Sequence, residues 1–579
     1  MNARRGASRG ADLVYLLAAY ALTLPAFFVA ELVAPSADLV AALKLICMAV
    51  FAWHAFAVMR GRRENPSMAA LAAATGLIWT AVIVIYLYKV VTMMPLDFAM
   101  ILLSLGDAGR TLEHVLGRHG VLIAGATLAA LIVASSGIAR LLFGGLRRCT
   151  HRWRPWQPLS LACVATLAYF ASGDLWYSTG ELLLYPRSYS SEAWFKIAPP
   201  FVPDYSALPV RSGESVFILQ LESVNSYAVF ERAADGKSYR PRVPQPGLET
   251  VLKEGHGVLF PRFWSNGAQT NRAWESILCA VSGNLGPPIA ADTARLQGRK
   301  CLPAHLADEG YATVFLYSYF HGGFFNLAGF APASGFQDLV YGSKLMHEGD
   351  RRHHWGYDDC VFYERAFDYL TTHGLARRQR LFAYFEVGTN HTPFFNTMKY
   401  PEAHPFSHPH AFIEHYLNSV AEQDHCLRTF WKRFEALGRD DIHLFIVPDH
   451  SLWVSGTLDN EDAPFATWLA YVPPKRRAGQ FASRTVLSPV PSQAQLYPTV
   501  LELLGADRSR RSFAFALRGE ETPRDYDDCK LLSEPHQRLI VRRGSERAEF
   551  RFGVKPLFLS EAGASTADFW AFHDRYACK

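Results

Sequence analysis

Three short stretches of the sequence carry side chains that suit metal-assisted chemistry on a phosphate group. Glu222 follows the apolar run VFILQL, and Asp449 and His450 follow the apolar run HLFIV. Thr270 lies in AQTNRAWES, where a helix could begin. Two carboxylates, an imidazole and a hydroxyl form a mixed ligand set for one divalent cation such as manganese or zinc. Such a cation can lower the pKa of a hydroxyl and neutralise charge on a phosphoryl group under attack.

Each candidate residue also has an ordinary structural explanation. The Thr270 hydroxyl could cap a helix start, and Asp449 could bond to the backbone of a turn. Glu222 could be a solvated or paired carboxylate. His391, which comes after the run FAYFEV, and His321, in YSYFHGG, could be structural histidines. The functional interpretation requires a shared pocket, whereas scattered side chains would contradict it.

Short apolar runs that alternate with helical stretches must position these residues. The predicted strands are SVFILQLES, ATVFLYSY, LFAYFEVG, IHLFIVPD and ATWLAYVP, and helices are predicted over 410–437 and 493–504. This alternation predicts a mainly parallel sheet covered on both faces, with functional residues at the carboxyl ends of strands. Asp424 and His425, on the first helix, are expected to face solvent or pair locally, although Asp424 could support the site from behind.

The predicted α/β catalytic domain covers residues 211–520. A small β-rich appendage is predicted over 521–579, because RLIVRRGSERAEFRF contains two strand-like runs about a Gly-Ser turn.

The amino-terminal third of the chain predicts a membrane domain. The chain has 579 residues, of which 50% are hydrophobic and only 19% are charged. Five apolar runs predict transmembrane helices within residues 1–180, at 11–33, 39–58, 68–91, 121–143 and 159–171. Flanking arginines place the amino terminus in the cytoplasm, so the catalytic domain is expected outside a bacterial inner membrane. Residues 181–210, rich in Pro, Ser and Tyr, form the expected linker.

Cysteine usage agrees with an extracytoplasmic location. Six of the nine cysteines fall in the predicted outer part, and disulfides form in oxidising compartments. Six cysteines allow 15 pairings. We expect neighbours in sequence to pair, Cys279 with Cys301, Cys360 with Cys426 and Cys529 with Cys578, while buried free thiols are the alternative. A net charge of +5 is too small to indicate nucleic-acid binding.

The ordered motifs LQLES, AQTNRAWES, YSYFHGG, TNHTPF and VPDHS, preceded by five apolar spans, resemble the lipoteichoic acid synthase family of phosphoglycerol transferases. That family belongs to the sulfatase and alkaline phosphatase superfamily. The resemblance implies that Glu222, Thr270, Asp449 and His450 bind the metal and that Thr270 accepts the phosphoryl group. It also implies that His391 lies near the phosphate as a proton donor or stabiliser, and that His321 holds the head group.

The resemblance implies a reaction in two steps. Thr270 attacks a phospholipid, phosphatidylglycerol in preference to phosphatidylethanolamine, and releases diacylglycerol. A glycan or glycolipid hydroxyl then removes the phosphoglycerol. The sequence HGGFFNLAGF departs from the family pattern, because Gly323 stands where an acidic residue is expected and no arginine follows nearby. The stretch RRHHW, which contains Arg351, Arg352, His353, His354 and Trp355, lies further on and could substitute.

Three alternatives stay open at this point. Phosphoethanolamine transfer to a lipid or glycan is favoured by the altered head-group stretch and by the cysteine pairs. A non-catalytic protein that binds an envelope polymer would not need the intact metal ligands. Sulfatase chemistry needs a C-x-P-x-R motif, and CLPAH at Cys301 ends in His305 instead.

Overall fold

The computed structural model describes residues 205–551, apart from short internal gaps such as 233–238, 283–287, 323–325, 395–405, 407–410 and 453–462. The five predicted transmembrane helices, the linker up to residue 204 and the final residues 552–579 lie outside the described part. Within the described ranges, no helix combines the length and the apolar character needed to cross a bilayer.

Thirteen strands lie in the described part. They are β1 (Ser215–Leu221), β2 (Phe230–Arg232), β3 (Tyr239–Pro241), β4 (Val258–Trp264), β5 (Ala312–Tyr317), β6 (Asp338–Tyr341), β7 (Leu381–Glu386), β8 (Ile442–Pro448), β9 (Ala466–Val472), β10 (Arg484–Thr485), β11 (Cys529–Glu534), β12 (Arg538–Arg543) and β13 (Glu546–Arg551).

Eight strands form the central sheet in the order β10-β4-β9-β8-β1-β7-β5-β6. Every neighbouring pair is parallel except the two pairs that include β9. The sequence-based prediction of a mainly parallel α/β sheet is therefore confirmed. All five predicted strands are present in this sheet, whereas β4, β6 and β10 are additions that the apolar runs did not indicate.

The sheet is buried on both faces. Along β1, Val216 and Ile218 pack into one apolar core, while Phe217 and Leu219 pack into the other. Successive side chains of a strand point to opposite faces, so a strand covered on both sides needs a continuous apolar run. This requirement explains why the strands near the centre of the sheet read as VFIL and LFIV rather than as alternating patterns.

Ten α-helices lie in the described ranges, among them the two predicted regions. They are α1 (Ser226–Val229), α2 (Pro246–Glu254), α3 (Thr270–Cys279), α4 (Leu302–Asp308), α5 (Leu327–Ser334), α6 (Gly342–Leu345), α7 (Asp359–Thr372), α8 (Ala411–Ala436), α9 (Leu496–Leu503) and α10 (Ala514–Arg518).

Asp424 on α8 does not face solvent. It is buried, and its carboxylate accepts hydrogen bonds from the backbone N–H groups of Gly247 and Leu248 at 2.7 and 2.8 Å. Those groups are orphan donors of the first turn of α2, which has no side-chain cap of its own. The expectation of a solvent-facing Asp424 was wrong because helical spacing cannot reveal the end of another helix. His425 pairs locally, with Arg428.

Two disulfides confirm two of the three expected cysteine pairs. Cys279 bonds Cys301, and Cys360 bonds Cys426. The first bond joins the end of α3 to the start of α4, and the second joins the first turn of α7 to α8. The third expected pair includes Cys578, which lies outside the described residues.

The carboxyl-terminal strands form a separate antiparallel sheet in the order β11-β12-β13. The hairpin β12–β13 matches the two runs predicted about the Gly-Ser turn. The sheet docks on the loop between β4 and α3, where Ser533 N–H donates to the Asn266 carbonyl at 3.0 Å and Asn266 Nδ2 donates to the Leu531 carbonyl at 2.8 Å. These contacts support the loop that leads to Thr270.

Candidate active site

The carboxyl ends of β1, β4, β7 and β8 meet at one edge of the sheet, and the candidate residues lie there. Three residues, Glu222, Asp449 and His450, each offer one potential ligand atom, and these three atoms lie within 4.8 Å of one another. All three residues are buried. His450 Nε2 lies 3.4 Å from Asp449 Oδ2 and 3.6 Å from Glu222 Oε1. The structure therefore brings these three residues into one pocket, although they come from distant parts of the chain.

Thr270 belongs to the same pocket. It is the first residue of α3, and its hydroxyl donates to Asp449 Oδ2 at 2.8 Å. The preceding residue, Gln269, occupies the N-cap position, and its side chain does not cap this helix end. The Thr270 hydroxyl thus contacts a carboxylate of the cluster and does not serve as a helix cap.

A strained turn shapes the pocket beside Glu222. Ser223 has a φ of 53°, which is uncommon for a residue other than glycine. This conformation directs Ser223 N–H to Asp449 Oδ1 at 2.8 Å, while His450 N–H donates to the same oxygen at 2.6 Å. Asp449 Oδ1 therefore accepts hydrogen bonds from two backbone N–H groups, while Oδ2 faces Thr270 and His450. Strain of this kind is typical of functional sites.

Glu222 is an unusual carboxyl group. Burial raises the pKa of Glu222 well above its usual range, and the negative charge of Asp449 raises it further. Two hydroxyl donors act in the opposite direction, Ser223 Oγ on Oε1 at 2.5 Å and Tyr319 Oη on Oε2 at 2.9 Å. Two buried acids held this close need a cation, or a proton, to offset their repulsion.

His450 presents the correct nitrogen for metal binding. Its Nδ1 lies 3.3 Å from the Ser451 carbonyl, and its Nε2 faces the two carboxylates. A proton on Nδ1 that donates to the carbonyl leaves the Nε2 lone pair directed at the cluster, which is the usual arrangement of a histidine ligand. The donors Glu222, Asp449, His450 and Thr270 thus fit one divalent cation of the manganese or zinc type.

His391 approaches the pocket from the loop after β7. Its ring lies edge-on to Tyr319, with ring centroids 6.3 Å apart, and Tyr319 is the residue that donates to Glu222. Asn390, directly before it, donates from Nδ2 to the carbonyls of Glu222 and Ser223 at 3.0 and 3.2 Å. This amide connects the His391 loop to the turn at Glu222 and Ser223.

Asp359 holds the loop that follows β7 through hydrogen bonds to its backbone. Asp359 Oδ1 accepts hydrogen bonds from the backbone N–H groups of Thr389 and Gly388 at 3.1 and 3.3 Å. Burial raises the pKa of Asp359 to about 7. The next residue, Cys360, forms the disulfide to α8.

Two other sequence candidates have different outcomes. His321 lies outside the described residues. Cys301 is bonded to Cys279, so it is not available for the oxidation that a sulfatase nucleophile requires. Asp358, Cys360 and Cys426 also lie close enough together to suggest a metal site, but the two cysteines form a disulfide.

Several residues of the pocket were not among the sequence candidates. Ser223, Tyr319 and Asn390 lie inside the motifs LQLES, YSYFHGG and TNHTPF, next to the residues that were selected. Tyr416, whose hydroxyl donates to the Ser223 carbonyl at 3.0 Å, lies on α8, where no local signal marks it. Its position near the pocket depends on how α8 packs against the sheet.

Comparison with known proteins identifies the family of this chain. A sequence model described as Sulfatase matches residues 216–506, which is half of the chain. The chain belongs to the sulfatase family. The matched range begins in β1 and ends after α9, so it contains every candidate ligand. No curated protein matches the chain.

Solved structures with a similar fold include three bacterial proteins. Lipooligosaccharide phosphoethanolamine transferase A from Neisseria meningitidis is 12% identical over 89% of this chain and 99% of that chain, with a TM-score of 0.49. The lipoteichoic acid synthase LtaP from Listeria monocytogenes is 16% identical over 66% and 94%, with a TM-score of 0.45. An alkaline phosphatase superfamily protein from Vibrio parahaemolyticus is 17% identical over 67% and 96%, with a TM-score of 0.45. At such low similarity these structures assign no activity to this sulfatase-family member, since one fold supports many chemistries.

Proposed function

We propose that this sulfatase-family chain transfers phosphoglycerol from a membrane phospholipid to an extracytoplasmic glycan or glycolipid through a phosphothreonine at Thr270. The observation that carries the proposal is the contact between the Thr270 hydroxyl and Asp449 inside the buried Glu222–Asp449–His450 cluster. A threonine hydroxyl is a weak nucleophile unless a base or a metal activates it, and this pocket supplies the groups for activation.

A divalent cation held by Glu222, Thr270, Asp449 and His450 would lower the pKa of the hydroxyl and neutralise phosphoryl charge. Asp449 Oδ2 orients the Thr270 hydroxyl and accepts its hydrogen bond. Because Thr270 begins α3, the first N–H groups of that ten-residue helix lie next to the attacked phosphate, where they stabilise its negative charge.

The bond changes are those of a double displacement. Thr270 Oγ1 passes its proton to Asp449 Oδ2 and forms a bond to phosphorus, while the bond from phosphorus to the diacylglycerol oxygen breaks. His391 donates a proton to that oxygen, so diacylglycerol leaves as an alcohol. In the second step an acceptor hydroxyl forms a bond to phosphorus and its proton passes to His391. The bond from phosphorus to Thr270 Oγ1 breaks, and Asp449 returns the proton to that oxygen.

The two disulfides support an extracytoplasmic location for the catalytic domain, since disulfides persist in oxidising compartments. The membrane anchor predicted over residues 1–180 would hold the pocket beside its lipid donor. Manganese is the proposed cation in preference to zinc.

Mass spectrometry of the Thr270 peptide tests this function. The purified protein is incubated with Mn²⁺ or Zn²⁺ and with vesicles of phosphatidylglycerol or of phosphatidylethanolamine. We expect a glycerol phosphate adduct on Thr270 and release of diacylglycerol, with neither in Thr270→Val, which keeps the shape of the side chain and removes the hydroxyl. Absence of any adduct with either lipid and either metal would refute transferase activity and favour the non-catalytic alternative.

Phosphoethanolamine transfer is the second candidate. The confirmed disulfides and the altered sequence after His321 favour it, and the AQTNRAWES stretch favours phosphoglycerol. The adduct mass separates the two head groups directly.

A further inference from the structure

One buried carboxyl group near the pocket takes no part in the proposed chemistry. Glu386 is the last residue of β7 and is fully buried. It pairs in register with Gln220 of β1 and Tyr317 of β5, so it lies in the middle of three neighbouring strands. Other residues of β7 that point to the same face, Phe382 and Tyr384, are aromatic members of the apolar core. An acid at this position therefore needs a specific reason, because burying it is costly.

Glu386 has one strong partner, the indole of Trp274. Trp274 Nε1 donates to Glu386 Oε2 at 2.5 Å. The other oxygen, Oε1, has no hydrogen-bond partner among the described residues. Burial raises the pKa of Glu386 well above its usual range, and the charge of Asp449 adds to the rise. A neutral acid at this position still accepts the indole N–H.

Trp274 connects this bond to the nucleophile. It lies four residues after Thr270 in α3, so the two side chains project from the same face of the helix. The indole stacks on Phe330, with ring centroids 5.7 Å apart, and meets Phe315 edge-on at 6.2 Å. Aromatic packing alone allows a helix to slide slightly along its axis and to rotate about it. A hydrogen bond from the helix to the end of a fixed strand sets both the axial position and the rotation of the helix.

We propose that Glu386 is a positioning residue that, through Trp274, sets the location of α3 and thereby holds the Thr270 hydroxyl against Asp449. The proposal rests on the proposed function of Thr270 as nucleophile. A nucleophile displaced by about 1 Å can lose about 100-fold in rate. The chain thus keeps a buried acid because the bond to Trp274 aligns a reacting group.

Four variants test the role: Glu386→Gln, Glu386→Leu, Trp274→Phe, and the double variant of the last two. Gln keeps an oxygen that accepts the indole N–H, so it should keep most of the wild-type rate. Glu386→Leu and Trp274→Phe should each slow phosphothreonine formation at saturating lipid by about 10-fold to 100-fold. The lipid concentration at half-maximal rate should not change, because lipid binding is not altered.

The double variant distinguishes positioning from a purely structural role. Glu386→Leu and Trp274→Phe each leave a buried polar atom without the partner it has in this bond, which lowers the melting temperature, whereas removing both partners restores much of the stability. We expect the double variant to recover melting temperature but not rate, and its rate loss should equal that of the slower single variant. Recovery of rate together with stability, or a Glu386→Gln variant as slow as Glu386→Leu, would overturn the proposal.

Wild-type protein in the same assay separates this proposal from the function on which it rests. If wild type forms no adduct, the proposed function fails. If wild type forms the adduct and all four variants match its rate, only the role of Glu386 fails.

Discussion

Replacement of Tyr319 by phenylalanine should weaken metal binding without changing the shape of the pocket. Tyr319 Oη donates to Glu222 Oε2 at 2.9 Å, and the ring is held by stacking on Tyr317, with centroids 4.6 Å apart. The variant removes one of two hydroxyl donors that oppose the rise in the pKa of Glu222. A proton then competes more effectively with the cation for this carboxylate, because the ligand must be deprotonated to bind metal.

The size of the effect follows from the bond that is lost. A hydrogen bond to a charged group contributes about 1.5–3 kcal/mol. Since 1.4 kcal/mol is a factor of ten, the dissociation constant for Mn²⁺ should rise about 10-fold to 100-fold. This range agrees with the usual cost of removing a group that supports a metal ligand. The deficit should grow as pH falls, because protonation of Glu222 becomes more favourable.

Isothermal titration calorimetry with Mn²⁺ measures this constant directly. The matched control is Tyr317→Phe, because the Tyr317 hydroxyl is buried and has no hydrogen-bond partner among the described residues. That variant removes a hydroxyl from the stacked ring and should bind Mn²⁺ as wild type does. Wild-type affinity in Tyr319→Phe, or an equal loss in the control, would refute the role assigned to this hydroxyl.

Two further predictions concern stability. The pKa of Asp359 is about 7 in the folded protein and about 3.9 in an unfolded chain, so the folded state keeps a proton that the unfolded state releases. The free energy of unfolding should therefore fall as pH rises through this window, by at most about 4 kcal/mol from this group. When this free energy is measured by urea unfolding at several pH values, its dependence on pH should be weaker in Asp359→Asn than in wild type. Parallel pH dependences in the two proteins would contradict this. Removing the Cys360–Cys426 disulfide, whose cysteines are 66 positions apart, should lower the free energy of unfolding by about 4 kcal/mol. Removing the Cys279–Cys301 disulfide, whose cysteines are 22 positions apart, should lower it by about 3 kcal/mol. Equal urea midpoints for both variants and wild type would be the contrary result.

Local sequence signals were sufficient for five strands of the central sheet and for the position of Glu222 and Asp449 at strand ends. A strand covered on both faces must be apolar throughout, which makes runs such as VFILQL recognisable without a structure. Parallel strands place their carboxyl ends at one edge of the sheet, so the sequence alone predicts that Glu222 and Asp449 are neighbours. Residue type and position at a strand end were enough for these predictions.

Only the tertiary structure decided how those residues are supported. Tyr416 contacts the Ser223 turn from a 26-residue helix, and Asp424 of the same helix caps α2. Glu386 appeared in the sequence only as the end of an apolar run, and its bond to Trp274 spans 112 positions of the chain. The reason is physical. Periodicity and residue type report the environment of a segment, whereas a hydrogen bond between distant segments depends on packing and register that no local pattern encodes.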